Sequence, residues 1–348
     1  MNNYKKTLSI IVPTYNMEKY LPKCLDSLIV KDENMHLLEV LVVNDGSKDS
    51  SLKIARTYEE KYPQSFRVID KENGNYGSCI NRGLKEATGK YIKVLDADDS
   101  FDKSSLNDFI SFLESHDADL FITDFQQVHD DGDIILQKKC PFPSNEVLNL
   151  SDYFLSNYFK HLQMHSVTYK RENLINIGYI QTEGISYTDA QWVFLPISTV
   201  KTMYYCPIML YNYLIGREGQ TVAKDVFDKS LPQLMRMTIG RIKMYENYHL
   251  YDSKYSQYFI SKLSETLKYI YRYILVVDNH LIDDLRQFDF EIKDASISYY
   301  NYSNNIVIFD KVPFKIVKMW REMGKKDTLP FMYCLLFKLL YSFSGKKH

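Results

Sequence analysis

The sequence lacks the features of a membrane-spanning, disulfide-stabilised or nucleic-acid-binding protein. No stretch reaches the roughly 18 uninterrupted apolar residues of a transmembrane helix. The five cysteines are scattered and never form a CxxC pair, which excludes a disulfide framework or a zinc ribbon and is typical of a reducing cytosol. The 43 basic and 44 acidic residues nearly cancel, so no overall field would attract nucleic acid. The apolar run after Lys6 stops at Pro13, too short for a signal peptide, so a cytoplasmic protein is expected.

Glycine-rich cofactor signatures are missing as well. The chain has 13 glycines among 348 residues, and neither GxGxxG nor GxxxxGK[ST] occurs. Dinucleotide-dependent hydride transfer and P-loop chemistry are therefore excluded. What is present is an ordinary globular composition, with 45% hydrophobic and 25% charged residues, in a chain of roughly two domains' length.

The first 125 residues alternate short apolar runs with amphipathic helical patterns. The runs at 8–12, 40–43, 66–69, 91–95 and 120–123 are predicted strands. Because each run is continuously apolar, the alternation predicts a parallel sheet covered on both faces, a doubly wound α/β layer. A hairpin, a strand at 203–214 and mostly helical sequence from about residue 226 follow. We expect a catalytic domain at 1–222, with a nucleotide-binding half at 1–100 and an acceptor half at 101–222, and a helical region at 223–348.

Polar residues follow three of the predicted strands, where open parallel sheets bind ligands. These segments are Pro13-Thr14-Tyr15-Asn16, Asn44-Asp45-Gly46-Ser47 and Asp96-Ala97-Asp98-Asp99. Three carboxylates within four residues repel one another unless a cation or hydrogen bonds offset them. A hard divalent ion held by carboxylates and phosphate oxygens is the simplest explanation. The alternatives are that Asp98 and Asp99 cap the next helix and that Asp45 belongs only to a turn.

The order of these segments resembles that of family 2 glycosyltransferases. The motifs are SIIVPTYN at 9–16, VVNDGS at 42–47, ENGNYGSCINRGL at 72–84 and ATGKYIKVLDADD at 87–99. The resemblance covers about residues 7–220. It implies a GT-A (nucleotide-diphospho-sugar transferase, Rossmann-like) catalytic domain. It also implies inverting transfer of a hexosyl or N-acetylhexosaminyl group from a nucleotide-diphosphate donor.

The resemblance assigns roles to the strand-end residues. Nucleotide-sugar binding is implied for Pro13, Thr14, Tyr15, Asn16, Asp45, Asn73, Gly74, Gly77, Asp96 and Ala97. Asp45 matches a position that usually reads uracil, so a UDP-sugar is expected. Asp96 and Asp98 match the DXD pair that binds the ribose and a Mn²⁺ or Mg²⁺ ion.

Two residues beyond the DXD motif are further candidates. An inverting transfer needs a base that takes the acceptor proton, and Asp189 matches the family's base position, although it or Thr188 could simply cap a helix. Arg217 could stabilise the departing diphosphate, or pair with Glu218 in a loop. His161 and His165, four residues apart, suit a surface or acceptor-groove role better than metal binding.

The C-terminal segment 311–348 carries nine basic residues against two acidic ones, interleaved with Trp, Phe and Leu. This pattern suits a helix on an anionic membrane surface, or equally one that packs in the protein or between subunits. Because related enzymes often glycosylate lipid-linked acceptors, the resemblance favours a peripheral position at the inner face of the cell membrane. A glycan or lipid-linked acceptor in cell-surface polysaccharide synthesis is expected.

The sequence disfavours two other functions. A sugar-nucleotide pyrophosphorylase would need a glycine-rich loop with a basic residue after the first strand, and residues 13–16 offer none. A non-catalytic nucleotide-sugar-binding protein would be expected to have lost Asp98 or Asp189, and both are present.

Overall fold

The computed structural model describes residues 6–154, 156–185, 188–217, 230–307 and 314–329. The chain divides into two compact units, residues 1–228 and 229–348. In these described ranges no helix is both long and apolar enough to cross a membrane.

A mixed sheet forms the centre of the N-terminal unit. Its strands, among the residues described, are β1 (Lys6–Thr14), β2 (Leu38–Asn44), β3 (Phe66–Asp70), β4 (Gly89–Val94), β5 (Ser100–Phe101), β6 (Leu120–Val128), β7 (Ile134–Lys138), β8 (Val147–Asn149), β9 (Val167–Lys170) and β10 (Thr202–Leu214). Their order is β3-β2-β1-β4-β9-β6-β10-β5, with β7 paired to β6 and β8 to β10.

The first four strands are parallel, as the sequence predicts. β1 pairs with β2 on one side and with β4 on the other, so the direction of winding reverses at β1. Such a reversal opens a crevice at the carboxyl ends of the strands. Every residue of β2 is buried, which explains the continuous apolar run at 40–43.

The sheet is not entirely parallel, which corrects the sequence prediction. The short strand β9 lies between β4 and β6 and is antiparallel to both. β6 therefore keeps the direction of β4 without being its neighbour. Four residues with the sequence VTYK are too few to show a strand period, so this insertion could not be recognised beforehand.

Helices cover the sheet. They are α1 (Leu21–Asp26), α2 (Asp32–Met35), α3 (Ser51–Lys61), α4 (Asn75–Glu86), α5 (Lys103–Ser115), α6 (Asn157–Lys160), α7 (Arg171–Asn176) and α8 (Asp189–Trp192), with 3₁₀ turns at Leu150–Asp152, Met164–Ser166 and Leu195–Thr199. α4 packs so tightly on β1 that a Cβ at Gly83 would lie 2.5 Å from the Ile11 side chain. α4 and α8 deliver side chains to the crevice.

The C-terminal unit is helical. It contains α9 (Leu231–Asn247), α10 (Ser256–Arg272) with a π-helical continuation at Tyr273–Val277, α11 (Ile282–Ala295), α12 (Ile297–Ser303) and α13 (Ile316–Glu322). The stripe Leu263, Leu267, Ile270 and Ile274 is completely buried, which agrees with its helical spacing.

Part of the basic C-terminal segment is built into this unit. Val317 and Trp320 on α13 are fully buried. Arg321 and Lys325 form ion pairs with the buried Asp289, at 2.7 and 2.8 Å. These residues therefore do not form a membrane-facing surface, whereas 311–313 and 330–348 lie outside the described residues.

Candidate active site

The loops after β1 and β2 are joined by hydrogen bonds. The Asp45 amide donates to the Thr14 carbonyl at 2.9 Å, the Asn16 amide to Ser47 Oγ at 3.0 Å, and the Lys48 amide to Asn16 Oδ1 at 2.8 Å. Asn16 has φ of 54°, a conformation that asparagine tolerates better than most residues. The two strand ends therefore form one connected wall of the crevice.

The predicted nucleoside-binding residues separate into two groups. Pro13 and Thr14 are buried within β1. Tyr15 is 46% exposed and lines an open pocket at the ends of β1, β2 and β3 together with Asn44, Asp70 and Asn73. The structure thus places Tyr15 and Asn73 at a surface that a base could reach.

Asp45 is only 2% exposed and is held from two sides. Lys71 Nζ donates to its Oδ1 at 2.5 Å, and the Gly74 amide donates to the same oxygen at 3.0 Å. Asn73 Nδ2 also donates to the Asp45 carbonyl at 2.9 Å. Lys71, which the sequence did not single out, therefore fixes the predicted uracil-reading carboxylate to the loop before α4.

The three carboxylates after β4 have different partners. Asp96 accepts a hydrogen bond from the Tyr76 hydroxyl at 2.8 Å, and Asp98 accepts one from Arg217 Nε. Both oxygens of the buried Asp99 are used, by the Tyr211 hydroxyl at 2.6 Å and the Leu214 amide at 2.7 Å. Asp99 therefore ties the loop to β10.

Neither Asp98 nor Asp99 caps the following helix. The N-cap of α5 is Asp102, whose carboxylate accepts from the Ser105 amide at 2.8 Å. The buried side chain of Ala97 belongs to the hydrophobic core. The capping explanation of the acidic cluster is therefore wrong.

Burial and mutual repulsion perturb this cluster strongly. Burial, followed by the charge of Asp98, raises the pKa of Asp96 to about 7. The same two causes, together with Asp96, raise the pKa of Asp99 well above its ordinary value. Since an extra positive charge would relieve this repulsion, the cluster has the electrostatics of a cation site.

His165 lies beside these carboxylates and is buried, so the predicted surface position is wrong, whereas the acceptor-groove role stays a prediction. It is 8% exposed, and its ring stacks on Tyr213 with centroids 4.4 Å apart. One potential metal-ligand atom each from Asp96, Asp99 and His165, a carboxylate oxygen or a ring nitrogen, lies within 4.8 Å of the other two. The spacing from His161 was misleading because α6 ends at Lys160, so the two histidines do not share a helix.

The buried Nδ1 of His165 has no hydrogen-bond partner among the described residues. Burial, and next the charge of Lys93, lower the pKa of His165 to about 3, so the ring is neutral. Lys93 is itself fully buried and donates to the His165 carbonyl at 2.9 Å.

The glycines before and within α4 serve close packing. A Cβ at Gly77 would lie 2.0 Å from the Thr182 carbonyl oxygen, and the Gly184 amide donates to the Gly74 carbonyl at 2.9 Å. The segment before α8 therefore lies directly against the start of α4. The close contact with Thr182 therefore requires a glycine at position 77, independently of any role in donor binding.

Asp189 is the first residue of α8 and its side chain is exposed. Its charge contributes to the raised pKa of both Asp96 and Tyr76, although burial is the largest cause for each. The candidate base is therefore within electrostatic range of Asp96 and Tyr76. Thr188 occupies the N-cap position but makes no capping hydrogen bond.

Arg217 is brought to the cluster from the loop after β10. It donates to Asp98, and its guanidinium lies 5.8 Å from the centroid of the Tyr20 ring. The alternative partner Glu218 lies outside the described residues.

Comparison with known proteins agrees with this geometry. Residues 9–177 match the model of the family "Glycosyl transferase family 2". The minor teichoic acid biosynthesis protein GgaB of Bacillus subtilis is 29% identical over 255 residues, which are 70% of this chain and 27% of that protein. The poly(ribitol-phosphate) beta-N-acetylglucosaminyltransferase TarS of Staphylococcus aureus is 35% identical over 124 residues, 36% of this chain and 22% of that protein.

Solved structures share the fold. The crystal structure of S. aureus TarS 1-349 in complex with UDP superposes with a TM-score of 0.57 at 19% identity, covering 91% of this chain and 92% of that one. The match to the family 2 model lies within the N-terminal unit and agrees with the resemblance of the sequence motifs. The predicted GT-A α/β fold with a helical C-terminal region is confirmed. The chain spans about a quarter of the length of GgaB and TarS, so it matches only part of each.

Proposed function

We propose that this protein is an inverting glycosyltransferase that moves a hexosyl or N-acetylhexosaminyl group from a UDP-sugar to an acceptor hydroxyl. The observation that carries the proposal is the meeting of two sets of groups in one crevice. Asp96, Asp98 and Arg217 lie on one side, and Asp189 is near enough to influence the pKa of Asp96. Such a crevice offers a charged site for a diphosphate and a separate carboxylate for an acceptor proton.

The residues at the strand end fit a divalent cation. Asp96 and Asp98 supply hard oxygen ligands, and a ring nitrogen of His165 lies within 4.8 Å of ligand oxygens of Asp96 and Asp99. Asp99 is less suited because Tyr211 and Leu214 already occupy its oxygens. We assign Mn²⁺ or Mg²⁺ to Asp96 and Asp98, where it would neutralise charge on the diphosphate of the donor.

The protein's own groups have distinct tasks in this proposal. Asp189, exposed at the start of α8, takes the proton of the attacking hydroxyl. Arg217, next to Asp98, stabilises the negative charge that develops on the leaving diphosphate. Tyr76 holds the Asp96 carboxylate in place through its hydroxyl.

The donor base is assigned to the pocket at the ends of β1–β3. Tyr15 offers an exposed aromatic face, and Asn73 lies beside it. Asp45 lies just beneath, where Lys71 and the Gly74 amide both bond its Oδ1. A carboxylate accepts a hydrogen bond from the imide N–H of uracil but repels the acceptor nitrogen of cytosine, so uridine is the expected nucleoside.

The names of the relatives support a proposal for the acceptor and the location. GgaB is named for minor teichoic acid biosynthesis, and TarS for transfer of N-acetylglucosamine to poly(ribitol phosphate). By analogy we assign a glycan or lipid-linked acceptor of cell-surface polysaccharide synthesis, used at the cytoplasmic face of the membrane. In this proposal residues 1–222 catalyse the transfer, and 223–348 serve membrane attachment or oligomerisation.

The test is release of nucleoside diphosphate from a panel of UDP-, GDP-, CDP- and dTDP-sugars, with Mn²⁺ and with excess EDTA. We expect UDP release that EDTA abolishes. Release of GDP instead would reject the uridine assignment. Formation of UTP from pyrophosphate and a UDP-sugar would identify a pyrophosphorylase, and no release from any donor would identify a binding protein.

A further inference from the structure

Two completely buried glutamines hold the helix that carries Asp189: Gln191 lies on that helix and Gln181 on the segment before it. Gln181 and Gln191 are each 0% exposed, as is Thr188 between them. We propose that Gln181 and Gln191 are positioning residues that fix Asp189 relative to the Asp96 side of the crevice. The inference rests on the proposed function, because it assumes that Asp189 is the base.

Gln191 joins α8 to the preceding segment through a pair of hydrogen bonds. The Thr182 amide donates to Gln191 Oε1 at 2.8 Å, and Gln191 Nε2 donates to Thr182 Oγ1 at 2.8 Å. Gln191 lies two residues after Asp189 on a helix of only four residues. So short a helix has little stability of its own, and its orientation depends on contacts such as these.

Gln181 holds the same helix at its first turn. Its Nε2 donates to the Thr188 carbonyl at 2.7 Å and to Thr188 Oγ1 at 3.0 Å, while its Oε1 accepts from the Tyr179 hydroxyl at 3.1 Å. The Thr188 hydroxyl thus accepts from Gln181 and makes no capping hydrogen bond to α8. The residue immediately before Asp189 is thereby held by the Gln181 side chain in addition to the Gln191 amide of α8, which donates to the same Thr188 carbonyl at 2.9 Å.

The other end of the network is attached to α4. Asn81 accepts from the Gln181 amide at 2.8 Å and donates to the Gln181 carbonyl at 2.9 Å. α4 begins one residue before Tyr76, which holds Asp96. One continuous set of contacts therefore runs from the carboxylate assigned to the cation to the carboxylate assigned as base.

The hydrogen bonds of Gln181 and Gln191 are expected to hold α8 in a single orientation. A buried polar group without a partner costs about 1–3 kcal/mol, so alternative packings of the two amides are disfavoured. Positioning matters for proton transfer, because a misplacement of about 1 Å can cost about 10²-fold in rate. Replacing the side-chain amides of Gln181 and Gln191 should therefore impair turnover. Nucleotide binding, which is assigned to the ends of β1–β3, should be retained.

The experiment compares Gln191→Met, Gln191→Glu and Thr182→Val with the parent, in the complete chain. The assay is UDP release from the UDP-sugar that the parent hydrolyses, per folded protein, below the melting temperature of every variant. Gln137→Met is the matched control, since Gln137 is exposed on β7 and its side chain donates to Gln126 Oε1 at 2.9 Å.

We expect Gln191→Met to lower kcat by about 10- to 100-fold, with the Kd for Mn²⁺-UDP within about twofold of the parent. Gln191→Glu should recover most of the rate, because the Thr182 amide and hydroxyl can both donate to a carboxylate. Thr182→Val, which keeps the backbone bond, should fall in between. This variant carries the test if Gln191→Met does not fold.

Three results would overturn this inference without affecting the proposed function. They are parental kcat in Gln191→Met, equal losses in the Met and Glu variants, and a fall in UDP affinity that parallels the loss of rate. If the parent releases no nucleoside diphosphate from any donor, the proposed function fails and the inference falls with it.

Discussion

Arg217 donates a hydrogen bond to the carboxylate of Asp98, a residue 119 positions earlier in the chain. Both side chains are largely buried, with 15% and 11% exposed. In this arrangement the guanidinium supplies the positive charge that the acidic cluster needs. A cation and a diphosphate would offer each partner a new counter-charge, so the ion pair is expected to open when metal and nucleotide bind together.

The first prediction concerns Asp98. Asp98→Ala should abolish turnover and remove the additional thermal stabilisation that Mn²⁺ gives to UDP binding, because a hard oxygen ligand is lost. Differential scanning fluorimetry with UDP, with and without Mn²⁺, measures the second effect. Asp131→Ala, which changes an exposed hairpin carboxylate, is the control. If Asp98→Ala binds Mn²⁺-UDP as well as the parent does, the metal assignment is wrong.

The second prediction separates the base from the metal site. Asp189→Asn keeps the shape of the side chain but cannot accept a proton, so kcat should fall by at least ~10²-fold. Donor affinity should change little, because the nucleotide is assigned to the strand ends. Hydrolysis of the UDP-sugar by water, together with calorimetric titration of Mn²⁺-UDP, measures both effects. Asp152→Asn, which changes another exposed carboxylate, should behave like the parent. If Asp152→Asn loses turnover and Asp189→Asn does not, Asp152 is the base instead of Asp189.

Local patterns predicted the strands and the positions of the strand-end motifs, because these depend on neighbouring residues. The partners of the motifs could not be predicted in the same way. Tyr76 and Asp96 are 20 residues apart, and Lys71 and Asp45 are 26 apart. Nothing in local spacing indicates which distant hydroxyl or ammonium group the fold brings to a carboxylate.

His165 shows the same limit from another direction. Its four-residue distance from His161 suggested a shared helix face, but α6 ends at Lys160 and His165 lies in the 3₁₀ turn Met164–Ser166 that leads into β9. The histidine reaches Asp96 only because β9 is inserted next to β4. A reader of the sequence would have needed the strand order to place it.

The third prediction concerns the stability of the C-terminal unit. Burial acts to raise the pKa of Asp289, but Arg321, and then Lys325 and Tyr271, outweigh it and hold the pKa below its ordinary value. The folded pKa is thus below the unfolded value of about 3.9. The stabilisation is therefore complete above about pH 4 and is lost as the pH falls through the folded pKa.

Arg321→Met leaves the Asp289 charge with less compensation, so unfolding of the C-terminal unit should become easier by about 3–5 kcal/mol. Lys318→Met removes an exposed pair with Glu322 at 3.7 Å and should change stability by less than about 1 kcal/mol. Urea unfolding followed by circular dichroism at pH 7 compares the two variants. Equal stabilities would show that the Asp289 pair contributes little.

The last prediction concerns membrane attachment. Because Val317, Trp320, Arg321 and Lys325 are used inside the C-terminal unit, the truncation should begin after them, at residue 330. The deleted segment, 330–348, still carries three lysines among aromatic and aliphatic residues. The full chain should sediment with anionic liposomes and dissociate as salt screens the lysines, whereas the truncated chain should stay in the supernatant. Neutral phosphatidylcholine liposomes are the control for apolar adhesion. If the truncated chain binds anionic liposomes with the same salt dependence, or the full chain binds none, the segment serves packing or oligomerisation instead.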